Sequence, residues 1–264
     1  MYDLGSLMNL LEEYAPISLS DKAVAKGCYD NSGIIIRSRE TVEKILYTLD
    51  LSDESVKRAK RLGADTIITH HPAVYLPVKK LDHNDPVTSP VLAAAAHGMN
   101  VVSMHLNLDM AENGIDMCLC RALGGVEYRI INYIDESHGY GREFSLNDME
   151  LGAFAALAAK ALGTKKTLVY GARNKKLKTA ATFCGAGGQE AFDAVNKGLT
   201  RPDVIVTSDL PHHLIKAFVE KNVCLLILPH YTAEEYGFRK FFEQTSLAYS
   251  GMAQAFYWSD KRFK

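Results

Sequence analysis

The 264-residue sequence predicts an α/β fold made of two similar subdomains with mixed, mainly parallel sheets. Short apolar, β-branched runs alternate with helical segments, and this alternation is typical of crossover units in parallel sheets. The two halves also end their strands in similar polar motifs, and the rhythm breaks near residues 126–130. We therefore expect one α/β subdomain at 1–128, a second at 129–264, and a functional site between them at the carboxyl ends of the strands.

The first half opens with an amphipathic helix over Leu4–Tyr14, whose apolar residues recur at helical spacing before Pro16 ends it. Gly63 ends a later helix, because glycine readily adopts the left-handed conformation that closes helices. The other elements are predicted in the order strand 41–50, helix 53–61, strand 65–69, helix 90–97, strand 100–104 and helix 114–123.

The second half begins with an irregular stretch at 129–148, where turn residues and mixed charges interrupt the pattern. An Ala-rich apolar helix at 149–162 follows. Pro229 and Gly237 flank the segment after the last strand, so this segment is predicted as either helix or loop. The remaining elements are strand 179–183, helix 190–196, strand 203–207, a helix from His212 and strand 223–229.

An internal repeat is indicated by two pairs of motifs. The strand at Asp65–Thr69 and the strand at Asp203–Thr207 are both apolar, begin with Asp, end with Thr and lead into polar residues. A later strand in each half is followed by a histidine and, four residues on, by an acid. These pairs are His105 with Asp109 and His230 with Glu234.

The composition argues against several classes of function. Lys plus Arg number 30 and Asp plus Glu number 31, a net charge of −1 that argues against nucleic-acid binding. No apolar run approaches the roughly 20 residues of a membrane span, and the N-terminal segment lacks the charge of a secretory signal, so the expected location is cytoplasmic. The five cysteines form no C-x-x-C pair and are expected to be reduced and mostly buried.

Histidines are concentrated at the predicted strand ends. Parallel strands present their carboxyl ends at one edge of a sheet, so these side chains should converge with Asp109, Asp209 and Glu234. Imidazole and carboxylate together are ligands for zinc, manganese, iron or nickel. The six histidines concerned are His70, His71, His105, His212, His213 and His230.

The adjacent pair His70 and His71 is expected to direct its two rings to opposite sides of an extended backbone, so that each serves a different ion. His230 and Glu234 can ligate jointly as helix or as loop. His212 and His213 begin a helix, where consecutive residues diverge, and one of them is expected near the site without ligating.

Two turns are candidates for lining the substrate pocket. Cys184–Gly188 lies between a strand and a helix, where the N–H groups of Gly187 and Gly188 can hold an anion or where glycine simply closes a tight turn. Asn31 lies in the turn Asp30–Gly33, which is first a turn and second a lining of the site.

Six motifs in this order resemble the Nif-three-like dinuclear metal-centre family, whose members are often labelled GTP cyclohydrolase I type 2 homologues. The likeness covers most of the chain. Four positions depart from the family pattern, namely Tyr29 for Trp, Leu106 for Thr, Ser208 for Gly and Pro229 for Gly. The motifs are Tyr29–Gly33, Gly63–Pro72, His105–Asp109, Cys184–Gly188, Thr207–His213 and Pro229–Glu234.

The resemblance implies two divalent ions per chain and a toroidal hexamer whose sites face an internal cavity. The ligands it implies are His70, His71, Asp109, His230 and Glu234. It also implies the short form of the family, because the stretch from Tyr128 to Met149 is too short to hold an inserted domain.

The leading functional hypothesis is a metal-dependent hydrolase acting on a small nucleotide-like substrate, with His105 or His212 carrying protons. The competing hypothesis is a non-catalytic protein that handles metal or forms a ring-shaped scaffold. A structural site would be closed, and loss of its metal would unfold the protein, whereas a catalytic site keeps an open coordination position.

Overall fold

The computed structural model describes residues 2–264, which form two compact units. Unit 1 consists of residues 2–111 and Phe238–Asp260, and unit 2 consists of Glu112–Gly237 and Lys261–Lys264. These divisions differ from the predicted subdomains 1–128 and 129–264, because the chain returns to unit 1 after residue 237.

Unit 1 is built on a five-stranded sheet with helices in the connections. The elements are α1 (Leu4–Tyr14), α2 (Ile17–Ala25), β1 (Gly33–Ile36), β2 (Lys44–Thr48), α3 (Asp53–Leu62), β3 (Thr66–Thr69), α4 (Ser89–Ala96), β4 (Asn100–Ser103), α5 (Leu106–Met110) and β11 (Gln254–Tyr257). The strands lie in the order β1-β4-β3-β2-β11, and β1 is antiparallel to its neighbour while the other pairings are parallel.

Unit 2 is built on a six-stranded sheet. Its elements are α6 (Ile115–Ala122), β5 (Tyr128–Tyr133), β6 (Gly139–Glu150), α7 (Leu151–Leu162), β7 (Leu168–Tyr170), β8 (Lys176–Thr182), α8 (Gly188–Asn196), β9 (Val204–Thr207), α9 (His212–Glu220), β10 (Cys224–Ile227) and a 3-10 turn at Lys261–Phe263. The strands lie in the order β5-β6-β8-β9-β10-β7. The helix α10 (His230–Ala248) begins in this unit and ends in unit 1.

The topology confirms the predicted repeat. In unit 1, β2, β3 and β4 are parallel and β1 pairs antiparallel with β4. In unit 2, β8, β9 and β10 are parallel and β7 pairs antiparallel with β10. Each unit therefore contains the same four-stranded arrangement, formed in the same chain order.

The two aspartates of the repeated motif make the same contacts. Asp65 Oδ2 accepts hydrogen bonds from the backbone N–H groups of Lys44 and the residue before it, at 3.0 and 2.8 Å. Asp203 Oδ2 accepts from those of Thr179 and the residue before it, at 3.1 and 2.7 Å. Each aspartate thus joins the start of its own strand to the neighbouring strand.

Each unit has its own apolar core, because the central strands are buried on both faces by the connecting helices. The strands β3, β4, β9 and β10 are buried along their whole length. One buried cluster of unit 1 contains Leu46, Val56, Ala59, Ala64, Ile67, Ala94, Met99 and Val101. One buried cluster of unit 2 contains Ile131, Ala181, Phe183, Ala191, Ala194, Ile205, Phe218, Val223, Leu225 and Ile227.

The prediction of an irregular stretch at 129–148 is wrong, because β5 and most of β6 form an antiparallel pair there. These strands lie at the edge of the sheet, and β5 buries Ile131 while its other residues are partly or fully exposed. In β6 the buried Arg142 guanidinium lies 3.2 Å from Asp116 Oδ2. A buried charge and an exposed edge both hide the apolar alternation by which strands are recognised.

The short elements α2, β1, α5, β7 and β11 were also not predicted. Most of the other predicted elements are confirmed to within a few residues at each end. Among residues 2–264, none of the helices combines the length and the apolar character of a membrane span.

Candidate metal centre

The end of β3 places His70 and His71 together. Both backbone N–H groups donate to Leu49 O, at 3.1 and 3.0 Å, so the chain bends instead of continuing as a strand. The ring centroids lie 5.0 Å apart. The expectation that the rings point to opposite sides is therefore wrong, because it assumed an extended backbone.

His70 is fully buried and lies beside Asp109. Its Nε2 is 3.6 Å from Asp109 Oδ1. Two atoms that each lie about 2.1 Å from one tetrahedral ion are roughly 3.4 Å apart. His70, His105 and Asp109 each offer one ligand atom, and these atoms lie within 4.8 Å of one another. This spacing fits a shared ion.

The helix α5 brings His105 and Asp109 to the same side of unit 1. His105 is the N-cap of this helix, and Asp109 N–H donates to His105 O at 2.9 Å, which is one helical turn. The His105 ring centroid lies 5.2 Å from that of His70. The spacing of four residues, which was noted in the sequence, therefore has a local structural cause.

The turn after α2 fixes His105. His105 Nδ1–H donates to Asp30 Oδ1 at 2.7 Å, and Ser32 and Ser20 donate their hydroxyl groups to Asp30 Oδ2. Burial of Asp30 disfavours its ionised form, but the hydrogen bonds from His105, Ser20 and Ser32 outweigh this effect and lower its pKa. Asp30 is therefore ionised near neutral pH and holds the imidazole in one tautomer.

The helix α10 settles the alternative between helix and loop for His230 and Glu234. His230 Nε2 lies 2.9 Å from Glu234 Oε2, one turn further along the helix. Glu234 is buried, whereas Asp209, which pairs with His230 Nδ1, is exposed. In unit 2 the His230 imidazole thus lies between two carboxylates, with Asp209 at Nδ1 and Glu234 at Nε2.

Gly185 makes room for this group. The residue has φ +60, and a Cβ built on it would overlap Glu234 Oε1 and would lie 3.6 Å from His230 Nε2. The loop also accepts hydrogen bonds through Gly185 O, from Ser208 N–H at 2.9 Å and from the hydroxyl of Thr207 at 3.2 Å. Gly185 was noted only as part of a candidate anion loop, and the structure places it against the carboxylate.

Four imidazoles share one arrangement, in which Nδ1 is hydrogen-bonded to an oxygen atom, so a metal ligated by any of these rings would be ligated through Nε2. A partner on Nδ1 fixes the tautomer and the ring orientation of a ligating histidine. The partners of His70, His71, His105 and His230 are Met104 O at 2.8 Å, Asp50 Oδ1 at 2.7 Å, Asp30 Oδ1 at 2.7 Å and Asp209 Oδ2.

Sequence reasoning missed Asp30 and Asp50 as partners of imidazoles. Asp30 was noted only within a turn, and Asp50 was assigned only to the end of a strand. The position of Asp50 at the carboxyl end of β2 was the available signal, because β2 is parallel to β3, which ends at the histidine pair.

The other predicted site residues are placed as follows. Asn31 Nδ2 donates to Val74 O at 2.5 Å and so holds the loop that follows His71. Gly187 and Gly188 lie at the N-terminus of α8. A Cβ on Gly187 would overlap the Tyr140 hydroxyl, so packing alone demands a small residue there.

The histidines of α9 remain outside the groups described above. His212 and His213 occupy the first turn of α9 and are exposed.

Among the five cysteines Cys28 is exposed, while the other four are buried, as expected for reduced core thiols.

The donor chemistry of both groups suits a divalent cation. Imidazoles held through Nδ1 and buried carboxylates are ligands that zinc, manganese and iron share. The group in unit 1 consists of His70, His71, His105 and Asp109, and the group in unit 2 consists of His230 and Glu234.

Comparison with known proteins gives a family match over nearly the whole chain. The family model described as Duf34/NIF3 (NGG1p interacting factor 3) matches residues 2–259. A Clostridium perfringens protein named GTP cyclohydrolase 1 type 2 homolog is 28% identical over 235 residues, which is 88% of this chain and 86% of that protein. The Drosophila melanogaster NIF3-like protein 1 is 26% identical, over 88% of this chain and 77% of that protein.

Solved structures with the same fold include a Bacillus cereus protein related to NIF3. The two share a TM-score of 0.84 with 17% sequence identity, over 98% of this chain and 96% of that one. A Staphylococcus aureus protein gives a TM-score of 0.83 with 24% identity, over 97% and 96% of the two chains. These likenesses establish the fold.

Proposed function

We propose, for a chain that belongs to the Duf34/NIF3 family, that it is a metal-dependent hydrolase of a small nucleotide-like substrate. The observation that carries the proposal is the shared arrangement of four imidazoles, whose Nδ1 atoms are held by oxygen acceptors. In two of these imidazoles Nε2 also lies beside a buried carboxylate, His70 at 3.6 Å from Asp109 and His230 at 2.9 Å from Glu234, and this is a donor pair that divalent ions take. The relatives named GTP cyclohydrolase 1 type 2 homolog support the choice of substrate class.

We assign five ligands for two divalent ions. They are His70, His71, Asp109, His230 and Glu234. Glu234 is the bridging candidate, because it is a buried carboxylate beside an imidazole. Zinc, manganese, iron and nickel all suit this set.

The chain's own residues provide the rest of the chemistry. When bound, divalent ions act as Lewis acids that polarise the scissile group and activate water. His105 is not one of the five assigned ligands, although its ring lies close enough to share an ion with His70 and Asp109. As an uncoordinated imidazole it is the acid–base residue of the proposal, since Asp30 accepts its Nδ1 proton and its Nε2 can accept or return a proton. His212, exposed in the first turn of α9, is the second proton carrier. Asn31, Gly187 and Gly188 line the substrate pocket.

We further propose a cytoplasmic homo-oligomer, a hexamer by family resemblance, with no nucleic-acid partner. Light scattering coupled to gel filtration tests the assembly. A mass of six chains supports it, and a monomer contradicts it.

The first experiment is an elemental count of metal per chain, on protein purified without added metal, followed by a hydrolysis assay with a nucleotide panel that includes GTP. Asp109→Asn keeps the side-chain volume and removes the charge, and we expect it to lose metal and turnover while remaining folded. His83→Ala removes an exposed imidazole of the same unit, 3.7 Å from Asp82, and serves as the matched control.

Three outcomes decide the proposal. About two ions per chain with turnover that disappears in Asp109→Asn support the hydrolase. Two ions without turnover on any nucleotide favour the metal-handling or scaffold function instead. Absence of metal from the purified protein contradicts the ligand assignment itself.

A further inference from the structure

Two tyrosines of unit 1 expose their rings beside His105. Tyr29 is 44% exposed and Tyr75 is 45% exposed. Their ring centroids lie 5.0 Å apart, edge to face, with an angle of 76° between the planes. The Tyr75 ring lies 6.1 Å from the His105 ring at 82°. An aromatic surface thus adjoins the residue to which we assign proton transfer.

The surface is fixed by hydrogen bonds to both tyrosine segments. Tyr29 directly precedes Asp30, whose carboxylate accepts the His105 Nδ1 proton. Tyr75 follows Val74, whose carbonyl accepts from Asn31 Nδ2 at 2.5 Å, and the Tyr75 hydroxyl donates to Tyr29 O at 3.3 Å. The two rings and the imidazole therefore keep a defined spacing.

These fixed positions distinguish Tyr29 and Tyr75 from ordinary exposed aromatic residues. Aromatic side chains usually bury their area, and rigid exposed rings bind a flat partner at low cost in conformational entropy. Stacking on an aromatic side chain favours any planar base, because every base has a π-face. His105 lies at one end of this surface, so a polar group of such a ligand would contact His105 there.

We propose that Tyr29 and Tyr75 form an aromatic platform on which the planar nitrogen heterocycle of the ligand stacks against one ring, meets the edge of the other and is thereby oriented towards His105. The inference rests on the proposed function, since it defines the part of the substrate that this site recognises. Tyr29 and Tyr75 are positioning residues, and the reacting atoms belong to the part of the ligand that meets His105.

The test compares two probes that share sugar and phosphate and differ in the ring, guanosine 5′-monophosphate and ribose 5-phosphate, by isothermal titration calorimetry. We expect the wild-type protein to bind the nucleotide at least tenfold more tightly. Tyr75→Leu keeps apolar bulk without a ring, and we expect it to lose most of that preference, a loss of roughly tenfold, while the affinity for ribose 5-phosphate stays unchanged. Tyr75→Phe keeps the ring and should keep the preference.

The inference is overturned if the wild-type protein binds both probes equally or binds neither. It is also overturned if Tyr75→Leu and Tyr29→Leu retain the preference, because the ring would then be recognised elsewhere. Metal content is measured on the same samples. If protein that contains no metal still prefers the nucleotide, and loses this preference without the tyrosines, the result supports the platform and contradicts the metal centre. Failure of the platform and failure of the proposed function are therefore distinguishable.

Discussion

The substitution Gly185→Ala tests the geometry of the unit 2 group with one methyl group. The new Cβ would lie less than 2.5 Å from Glu234 Oε1, and contacts of Cβ below 3.0 Å are essentially never seen. The carboxylate oxygen must therefore retreat by at least about 0.5 Å, whereas metal–ligand distances tolerate about 0.2 Å. We expect the affinity for divalent metal to fall by at least about tenfold.

Gly198→Ala is the matched control. Gly185 and Gly198 have φ values of +60 and +70, so alanine pays the same left-handed backbone penalty of about 1–2 kcal/mol at either position. A Cβ on Gly198 has no neighbour within 4 Å. In urea unfolding of the metal-free protein both variants should lose stability by this backbone penalty, and Gly185→Ala should lose more because its Cβ also overlaps Glu234. Chelator competition should separate them, and equal metal affinities in the two variants would refute a role for Glu234 as a ligand.

Three further predictions concern stability and reactivity. Asp65→Ala and Asp203→Ala should each lower the free energy of unfolding by about 1–3 kcal/mol, since two backbone N–H groups lose their acceptor; the loss in urea unfolding should be larger for the more deeply buried Asp65. Cys28 is the exposed thiol among five, so one thiol should react rapidly with a disulfide reagent, and Cys28→Ser should remove that phase. The hydrogen bond from Ser6 N–H lowers the pKa of Asp3 below 3.8. The wild-type protein should therefore be more stable than Asp3→Ala at pH 7, and this difference should shrink as the pH falls through 3.8 and below. Thermal unfolding at a series of pH values measures the difference.

The parallel part of each sheet could be predicted from the sequence because its strands are short and buried on both faces. Runs such as the one ending at Thr69 carry β-branched residues without polar interruption, and the histidines follow where such strands end. The repeat was visible for the same reason, since Asp65 and Asp203 sit at equivalent strand starts and make equivalent contacts.

The features that could not be predicted depend on distant parts of the chain. An arginine is usually predicted to be exposed, but Arg142 is buried because it pairs with Asp116 in the core. The bend at His71 depends on the carbonyl group of Leu49, the residue that follows the neighbouring strand β2. The overlap between Gly185 and Glu234 depends on where α10 begins, 45 residues after the glycine, and no local pattern encodes that distance.

The discontinuous course of unit 1 has a consequence for synthesis of the chain. The strand β11 pairs with β2 in the register Gln254 with Lys44, so the last strand of this sheet leaves the ribosome 210 residues after its partner. Unit 2 is almost complete by Gly237, before that strand exists. The edge of β2 that later pairs with β11 therefore stays unpaired while unit 2 is translated. During this time the nascent N-terminal unit is most exposed to edge-to-edge aggregation and to chaperone binding.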